Sequence, residues 1–247
     1  MRILDYRDQE RFLRHYGAKN VKALSFTEAT AQLGAREFFS REILSLRPFA
    51  VVVGHDFRFG HSREAGVIEL GQYCQENGIQ FCDLKPVLEG EKVISSTWIR
   101  DCLRQGDFKM AQHLMGHPFE FSGLVIEGKK LGRTLGFPTA NLQLAPERKG
   151  KLPLTFGVYA GVVRGEGPFV MNVGQNPTTS QNTTVAQSLS LKVEIHLLGG
   201  GAKDLYGKTL EVEPQFFLRP EKKFSSLEEL KKQIQNDVIE ARSRLGI

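Results

Sequence analysis

Thr139 and Asn141 stand two residues apart at the end of the run Gly132-Arg-Thr-Leu-Gly-Phe-Pro-Thr-Ala-Asn-Leu142. Alternate residues of an extended segment face one side, so the rigid Phe-Pro step presents a hydroxyl and an amide oxygen together. Neutral oxygens of this kind suit a hard cation. Gly132 and Gly136 let backbone approach a phosphate closely, and Arg133 and Lys130 are the neighbouring cations. A second candidate is Glu194, an acid inside the otherwise apolar stretch Lys192-Val-Glu-Ile-His-Leu-Leu198. A carboxylate in such a strand costs free energy unless it has a partner or a task. Metal ligands, phosphate donors and a base to orient a hydroxyl are the parts of a phosphoryl-transfer site. The competing readings are a Gly-Pro turn joining two strands and a salt-bridged structural glutamate. His196 shares a strand face with Glu194 and reads as structural.

The run 132–142 resembles the GxxxGFPTANL signature of riboflavin kinases, which transfer the γ-phosphoryl of ATP to riboflavin. The likeness continues in Glu194-Ile-His196 followed by Asp204-Leu-Tyr-Gly207, and in Gly157-Val-Tyr159. It includes Asn172-Val-Gly174 with Asn176-Pro-Thr178, and Phe217-Leu-Arg-Pro-Glu-Lys-Lys-Phe224. The resemblance implies that Glu194 is the catalytic base and that Mg²⁺ or Zn²⁺ with ATP is held by Thr139 and Asn141. It implies a flavin ring closed in by the 217–224 segment, with Arg219 among its contacts, and riboflavin, FMN and FAD as substrates or products. Two departures stand out. Gly199-Gly-Gly201 replaces an acidic or aromatic position after the Leu-Leu pair, and the polar run Ser180 to Ser190 is long enough for a lid or a disordered connection.

Val51-Val-Val-Gly-His-Asp-Phe-Arg-Phe-Gly60, followed by Gly66, resembles bacterial bifunctional riboflavin kinase/FAD synthetases, whose N-terminal domain transfers AMP from ATP to FMN. A strand ending in Gly at the edge of a parallel sheet is where such folds take ligand. This puts Asp56, Phe57, Arg58 and Phe59 near a flavin pocket. Val93-Ile-Ser-Ser-Thr-Trp-Ile-Arg100 resembles the ISSTxxR motif of nucleotidyltransferases. There Ser95, Ser96 and Thr97 precede a helix N-terminus, a natural phosphate site, and Arg100 adds charge; the plain alternative is an ordinary N-cap. The family opens with a GxFDGxHxGH stretch, and nothing in residues 1–50 resembles it. The expectation is a domain that begins after its first two strands and makes little FAD. His55, His61, His113 and His117 have no spacing that sets three metal ligands on one element. Alternatives are a flavin- or nucleotide-binding protein without turnover, a purely structural N-terminal half, and a full bifunctional FAD synthetase if the missing segment exists in the native gene.

These residues need two kinds of scaffold. The first ~115 residues alternate helical and strand patterns. Asp8 to Tyr16 reads as a helix, Val21 to Phe26 as a strand, and Ala35 to Leu46 as a helix with Phe38, Phe39, Ile43 and Leu44 inward. Phe49 to Val53 reads as a buried parallel strand, Glu64 to Glu76 as a helix, and Gly78 to Cys82 as a third strand. This predicts an α/β domain over 1–117, an incomplete Rossmann-like nucleotidyltransferase sheet. Its Val51–Val53 strand should show an unpaired edge and one uncovered face. From 118 to 247 the reading is an antiparallel β-barrel with a terminal α-helix, the riboflavin kinase fold. Strands fall at Phe119–Glu127, Phe156–Arg164, Phe169–Val173, Ser190–Leu198 and Thr209–Leu218. The helix is capped at Ser226, with Glu229 at the capping-box position.

The chain has 247 residues, 40% hydrophobic and 25% charged, with a net charge of +5 and mean hydropathy −0.27. Its Lys and Arg are spread among Asp and Glu, which suits an anionic small substrate and gives no footprint for nucleic acid. Three cysteines without a CxxC pair read as reduced thiols of a cytoplasmic protein. No apolar run is long enough for a membrane helix. The expected partners are small molecules, riboflavin and ATP. The chain is expected to be a monomer whose liability is aggregation through an open N-terminal sheet edge.

Overall fold

The computed structural model describes residues 2–128, 131–148, 151–175, 191–199 and 205–247. Two compact units are present, Lys22–Ile94 and a discontinuous one of Met1–Val21 with Ser95–Ile247. Asn176–Pro177–Thr178, the run Ser180–Ser190, Gly200, Gly201, Asp204 and Lys130 lie outside the described residues.

Helix α1 (Tyr6–His15) starts at Asp5, whose carboxylate accepts the Asp8 N–H at 2.9 Å. It is tied to the barrel by buried charge. Arg148 donates to Asp5 at 3.1 Å and to Asp8 at 3.0 Å, and the Ser122 hydroxyl donates to Asp8 at 2.5 Å. Burial raises the Asp8 carboxyl above its ordinary value, with Asp5 adding to the rise and the Ser122 and Arg148 bonds opposing it.

In the unit Lys22–Ile94, the strand expected at Val21–Phe26 does not form. The segment is irregular and Phe26 is 83% exposed. Its alternating pattern has no neighbouring strand to take up the backbone N–H and C=O groups, and an unpaired strand does not hold. Helix α2 (Glu28–Ala31) is capped by the Thr27 hydroxyl. Helix α3 (Ala35–Phe38) runs on through a π turn at Phe39–Ile43 and a 3₁₀ turn at Leu44–Leu46. The expected helix over 35–46 is thus one helical run with a widened middle. Strand β1 (Ala50–Gly54), helix α4 (Val67–Glu76) and strand β2 (Gln80–Leu84) follow, with β1 and β2 parallel and Val51 opposite Phe81.

Val51, Val53 and Phe81 pack on a core that includes Phe39, Leu70, Cys74 and Ile79. The other face is open, with Val52 56% and Leu84 54% exposed. The apolar run of β1 is therefore covered on one side only, as expected of a Val51–Val53 strand with one uncovered face. Among the described residues β1 has β2 as its sheet neighbour and leaves its other edge unpaired. A short hairpin of β3 (Leu88–Glu89) and β4 (Lys92–Val93) closes this unit.

The chain returns through α5 (Ser96–Gln105) and α6 (Phe108–Met115), capped by Ser95 and Asp107 and ended by Gly106 and Gly116. A closed barrel follows: β5 (Phe121–Ile126), β6 (Ala140–Leu144), β7 (Gly157–Val163), β8 (Gly167–Gln175), β9 (Leu191–Leu197) and β10 (Thr209–Pro220). Its order is β10-β5-β6-β9-β8-β7, every pair antiparallel. A short helix α7 (Leu131–Thr134) precedes β6, the one barrel strand among the described residues that the sequence pattern does not single out. The interior is a band of residues directly opposite one another, Val125, Leu142, Val193 and Val173, each 5% exposed or less.

Helix α8 (Leu227–Leu245) lies on the outer wall. Its Val238, Ala241 and Leu245 pack with Val158, Ala160 and Val170. Ser226 caps it by accepting the Glu229 N–H at 3.1 Å. The return bond differs from a strict capping box, since the Glu229 carboxylate takes the N–H and hydroxyl of Ser225 instead. Glycine is needed where β10 presses on β7: a Cβ on Gly161 would overlap the Glu213 carbonyl oxygen. There β10 shifts register twice, at Pro214/Phe216 and Phe217/Arg219. Such bulges re-aim side chains, and the second one delivers Arg219.

Candidate phosphoryl-transfer site

Strands β6, β9 and β8 are neighbours, and their register sets Asn141 opposite Glu194 and Glu194 opposite Asn172. Three polar side chains thus form a row on the outer wall, because the alternation that buries Leu142, Val193 and Val173 turns these outward. A cavity of about 320 Å³ lies over this wall, lined by Thr139, Asn172, Glu194 and Arg219, with Val158 and Val170 below and Leu230 and Ile234 of α8 beside it. Its lining is mixed, as suits a ligand with an apolar body and a few polar anchors.

Glu194 is partly buried, 23% exposed, and its Oε2 lies 2.7 Å from the Lys192 Nζ. His196, next along the same face, has its Nδ1 2.9 Å from the Pro138 carbonyl and stands edge-on to Phe137 at 5.5 Å. It fixes the Phe-Pro step just before Thr139. The loop has its own closure: the Phe137 N–H donates to the Gly132 carbonyl at 2.8 Å. A Cβ on Gly132 would meet the Phe137 carbonyl oxygen and lie 3.1 Å from the Thr139 hydroxyl. Glycine is therefore required there by the loop itself. Gly136 takes φ +89, where glycine is unstrained.

Gly132 and Thr139 line the cavity with Glu194; Gly136 and the exposed Arg133 do not. Asn141 stands in the row, but its amide packs over Gly128, and it borders the cavity rather than lining it. Arg219 holds Asp237 of α8 by two bonds, 2.8 and 2.7 Å, and Gln233 adds a third to Asp237 at 3.0 Å. Such a bidentate pair fixes the plane of the guanidinium, which sits 5.8 Å from the Phe224 ring centre.

The remaining predicted residues fall elsewhere. Ser95 caps α5 with its hydroxyl 3.3 Å from the Trp98 N–H, and Ser96 and Thr97 form the first turn. Arg100 donates to the Thr97 hydroxyl at 3.5 Å. Asp56 is exposed in the unit Lys22–Ile94. Phe57 and Phe59 stack at 5.6 Å there, and Phe59, 5% exposed, packs against Phe38 and Tyr73. Sequence reasoning passed over Lys192, Glu221 and Asp237. The signal for Lys192 is its period-2 spacing with Glu194 and His196. That for Asp237 is its helical spacing from Leu230 and Ile234.

A carboxylate beside neutral oxygens, in a mixed cavity under a glycine-bearing loop, defines a class: a phosphotransferase acting on a small alcohol of partly apolar character. A riboflavin kinase model matches residues 115–245, and an FAD synthetase model matches residues 1–98. The bifunctional riboflavin kinase/FMN adenylyltransferase of Escherichia coli K12 is 38% identical over 251 residues, covering all of this chain and 76% of the relative. That of Pseudomonas fluorescens is 38% identical over 232 residues, covering 92% and 71%, and that of Bacillus subtilis 31% identical, covering 97% and 74%. A crystal structure described as a macrolide-efflux protein from Streptococcus pneumoniae superposes with a TM-score of 0.75 at 30% identity, covering 97% of this chain and 75% of the other. Among the described residues no helix is long and apolar enough to cross a membrane. The chain belongs to the family of bifunctional riboflavin kinase/FMN adenylyltransferases. The activity of its barrel is the ATP-dependent phosphorylation of riboflavin to FMN.

Proposed function

We propose that riboflavin phosphorylation takes place in the cavity between the barrel wall and α8, with Glu194 as the base. The observation that carries this is the convergence of Glu194, Thr139, Asn172 and Arg219 on one cavity. Glu194 takes the proton of the ribityl primary hydroxyl as its oxygen attacks the γ-phosphorus, and ADP leaves. Arg219, locked by Asp237, offers a planar cation to the flavin, and Phe224 and Leu230 supply apolar contact. Gly132 and the loop it closes, with Arg133 and Gly136 at its rim, lie against the phosphates.

A divalent cation, Mg²⁺ or Zn²⁺, fits Thr139 and Asn141, because a phosphate-bound ion of this kind asks for one or two protein oxygens and takes the rest from phosphate and water. Bound there, it neutralises charge on the transferring phosphoryl group.

The reading assigns kinase work to residues 118–247 and places the adenylyltransferase elements, Ser95, Ser96, Thr97, Arg100 and the segment Asp56–Phe59, in residues 1–117. The chain makes FMN as a monomer of the cytoplasm, with riboflavin and ATP as its small-molecule substrates. Chromatography after incubation with riboflavin, ATP and each divalent metal tests this. FMN should accumulate. Folded protein that yields no FMN with any metal overturns the site.

A further inference from the structure

Lys192 has no part in the chemistry set out so far, yet it lines the same cavity and touches the proposed base. Its Nζ lies 2.7 Å from the Glu194 carboxylate, two residues on along β9 and on the same face. The register puts Lys192 opposite Gly174 of β8, where the absent Cβ makes room for the Glu221 carboxylate. The ammonium thus stands beside the Glu194 carboxylate, with Glu221 over the neighbouring Gly174 and its own side chain 33% exposed.

An ion pair this exposed holds its members loosely. Lysine is also a compact point charge on a flexible stem, without the fork that locks Arg219. It can therefore change partners when a stronger anion arrives.

Distance says which anion. A base acts from hydrogen-bond reach of the hydroxyl, about 3 Å. The attacking oxygen stands ~3–3.5 Å from the phosphorus in a productive pose. A cation already touching the base carboxylate is then within a small movement of the group under attack, and that group carries the most charge of any in the reaction.

Resting on the assignment of Glu194 as base, we propose that Lys192 is a further catalytic residue: it pairs with Glu194 in the free site and passes to the γ-phosphoryl oxygens of bound ATP. The exchange frees the carboxylate to face the ribityl hydroxyl only when nucleotide is present. The step balances as follows. The hydroxyl oxygen forms a bond to the γ-phosphorus, the bond from that phosphorus to the β,γ-bridging oxygen breaks with its electron pair going to ADP, and the proton goes to Glu194. Lys192 changes partner and keeps its charge.

The test is K192Q and K192R in the wild-type and E194Q backgrounds. Steady-state kinetics is read beside calorimetric binding of Mg²⁺ with a non-hydrolysable ATP analogue, and separately of riboflavin. K192Q should lower kcat/KM for ATP by tenfold or more and weaken the analogue at least fivefold. Riboflavin binding should stay within twofold, and K192R should recover most of the loss. The analogue should weaken by at least the same factor when Glu194 is Gln, since the contact is to phosphate and no carboxylate then competes for the ammonium. Analogue affinity within twofold of the parent in both backgrounds overturns the proposal and leaves Lys192 a surface counter-ion. An E194Q enzyme of full activity removes the base assignment alone, and the binding arm still decides whether Lys192 meets phosphate.

Discussion

Replacing Arg148 by Met removes one cation from beneath two buried carboxylates. The Arg148 side chain is 3% exposed, and Asp5 and Asp8 are 1% and 0% exposed at the side chain. Asp8 keeps the Ser122 hydroxyl and N–H, but Asp5 loses its charged donor. Breaking a buried pair from one side costs about 3–5 kcal/mol, because the orphaned charge has no water to return to. Against a typical total of ~5–15 kcal/mol, that is a large share. With a urea slope near 2 kcal/mol per molar, the midpoint should fall by about 1.5–2.5 M.

The pH dependence has a definite sign. Burial raises the folded-state pKa of Asp8, so the folded chain holds that proton more tightly than the unfolded chain. The stabilisation this gives is complete below the unfolded value, near 3.8, and is lost as pH rises through the folded one. Without Arg148 the folded value rises further. The deficit of R148M against the parent should therefore be smaller at pH 5 than at pH 7.5. Urea unfolding at both pH values measures it. A loss under ~1 kcal/mol at pH 7.5, or a deficit that grows on acidification, refutes the reasoning.

Glu194→Gln should lower kcat by ~10²-fold or more while riboflavin binding is kept, as for a base that works in the transition state; single-turnover kinetics with equilibrium titration separates the two, and full activity would make Glu194 structural. Asp237→Asn should leave Arg219 half-held, raising KM for riboflavin and lowering stability by about 1.5–3 kcal/mol, the range of a hydrogen bond to a charged group; an unchanged KM would detach Arg219 from the flavin. Gly161→Ala should cost ~1–3 kcal/mol or more in calorimetry, because its Cβ meets backbone with nowhere to move, and a neutral result would mean that β10 can slide away from β7.

The barrel and its helix are legible in the sequence because each strand there is punctuated by Gly, Pro or Asn and alternates cleanly, and because Ser226 announces α8. Strand β6 is hidden by its own signature: Ala140-Asn-Leu-Gln-Leu144 reads as the tail of a glycine loop, and only its partners β5 and β9 make it a strand. The failed strand at Val21–Phe26 shows the converse, a local pattern with no neighbour to pair with. The continuous apolar run Val51–Val53 reads as a buried strand, and its open face follows from what stacks on each side, which no five-residue run encodes. Glu194 and Thr139 could be named from residue type, and Arg219 from the resemblance of its segment to riboflavin kinases. The lateral register that sets Glu194 between Asn141 and Asn172 comes from strand neighbours far apart in sequence, and the pairs Lys192–Glu194 and Arg219–Asp237 show once β9 and α8 are in place.

The anchoring of α1 also has a timetable. Asp8 and its partner Arg148 are 140 residues apart. At synthesis rates of ~5–20 residues per second, the helix leaves the ribosome roughly 7–28 s before the arginine exists. A lone ten-residue helix is marginal in water, so this segment spends that interval as open chain, and the whole of Lys22–Ile94 emerges and can fold before the anchor is complete. The groups that later fasten it are carboxylates, well hydrated while they wait. An apolar anchor of the same reach would have offered a nascent chain something to stick to; a charged one binds only when its counter-ion is delivered in the right place.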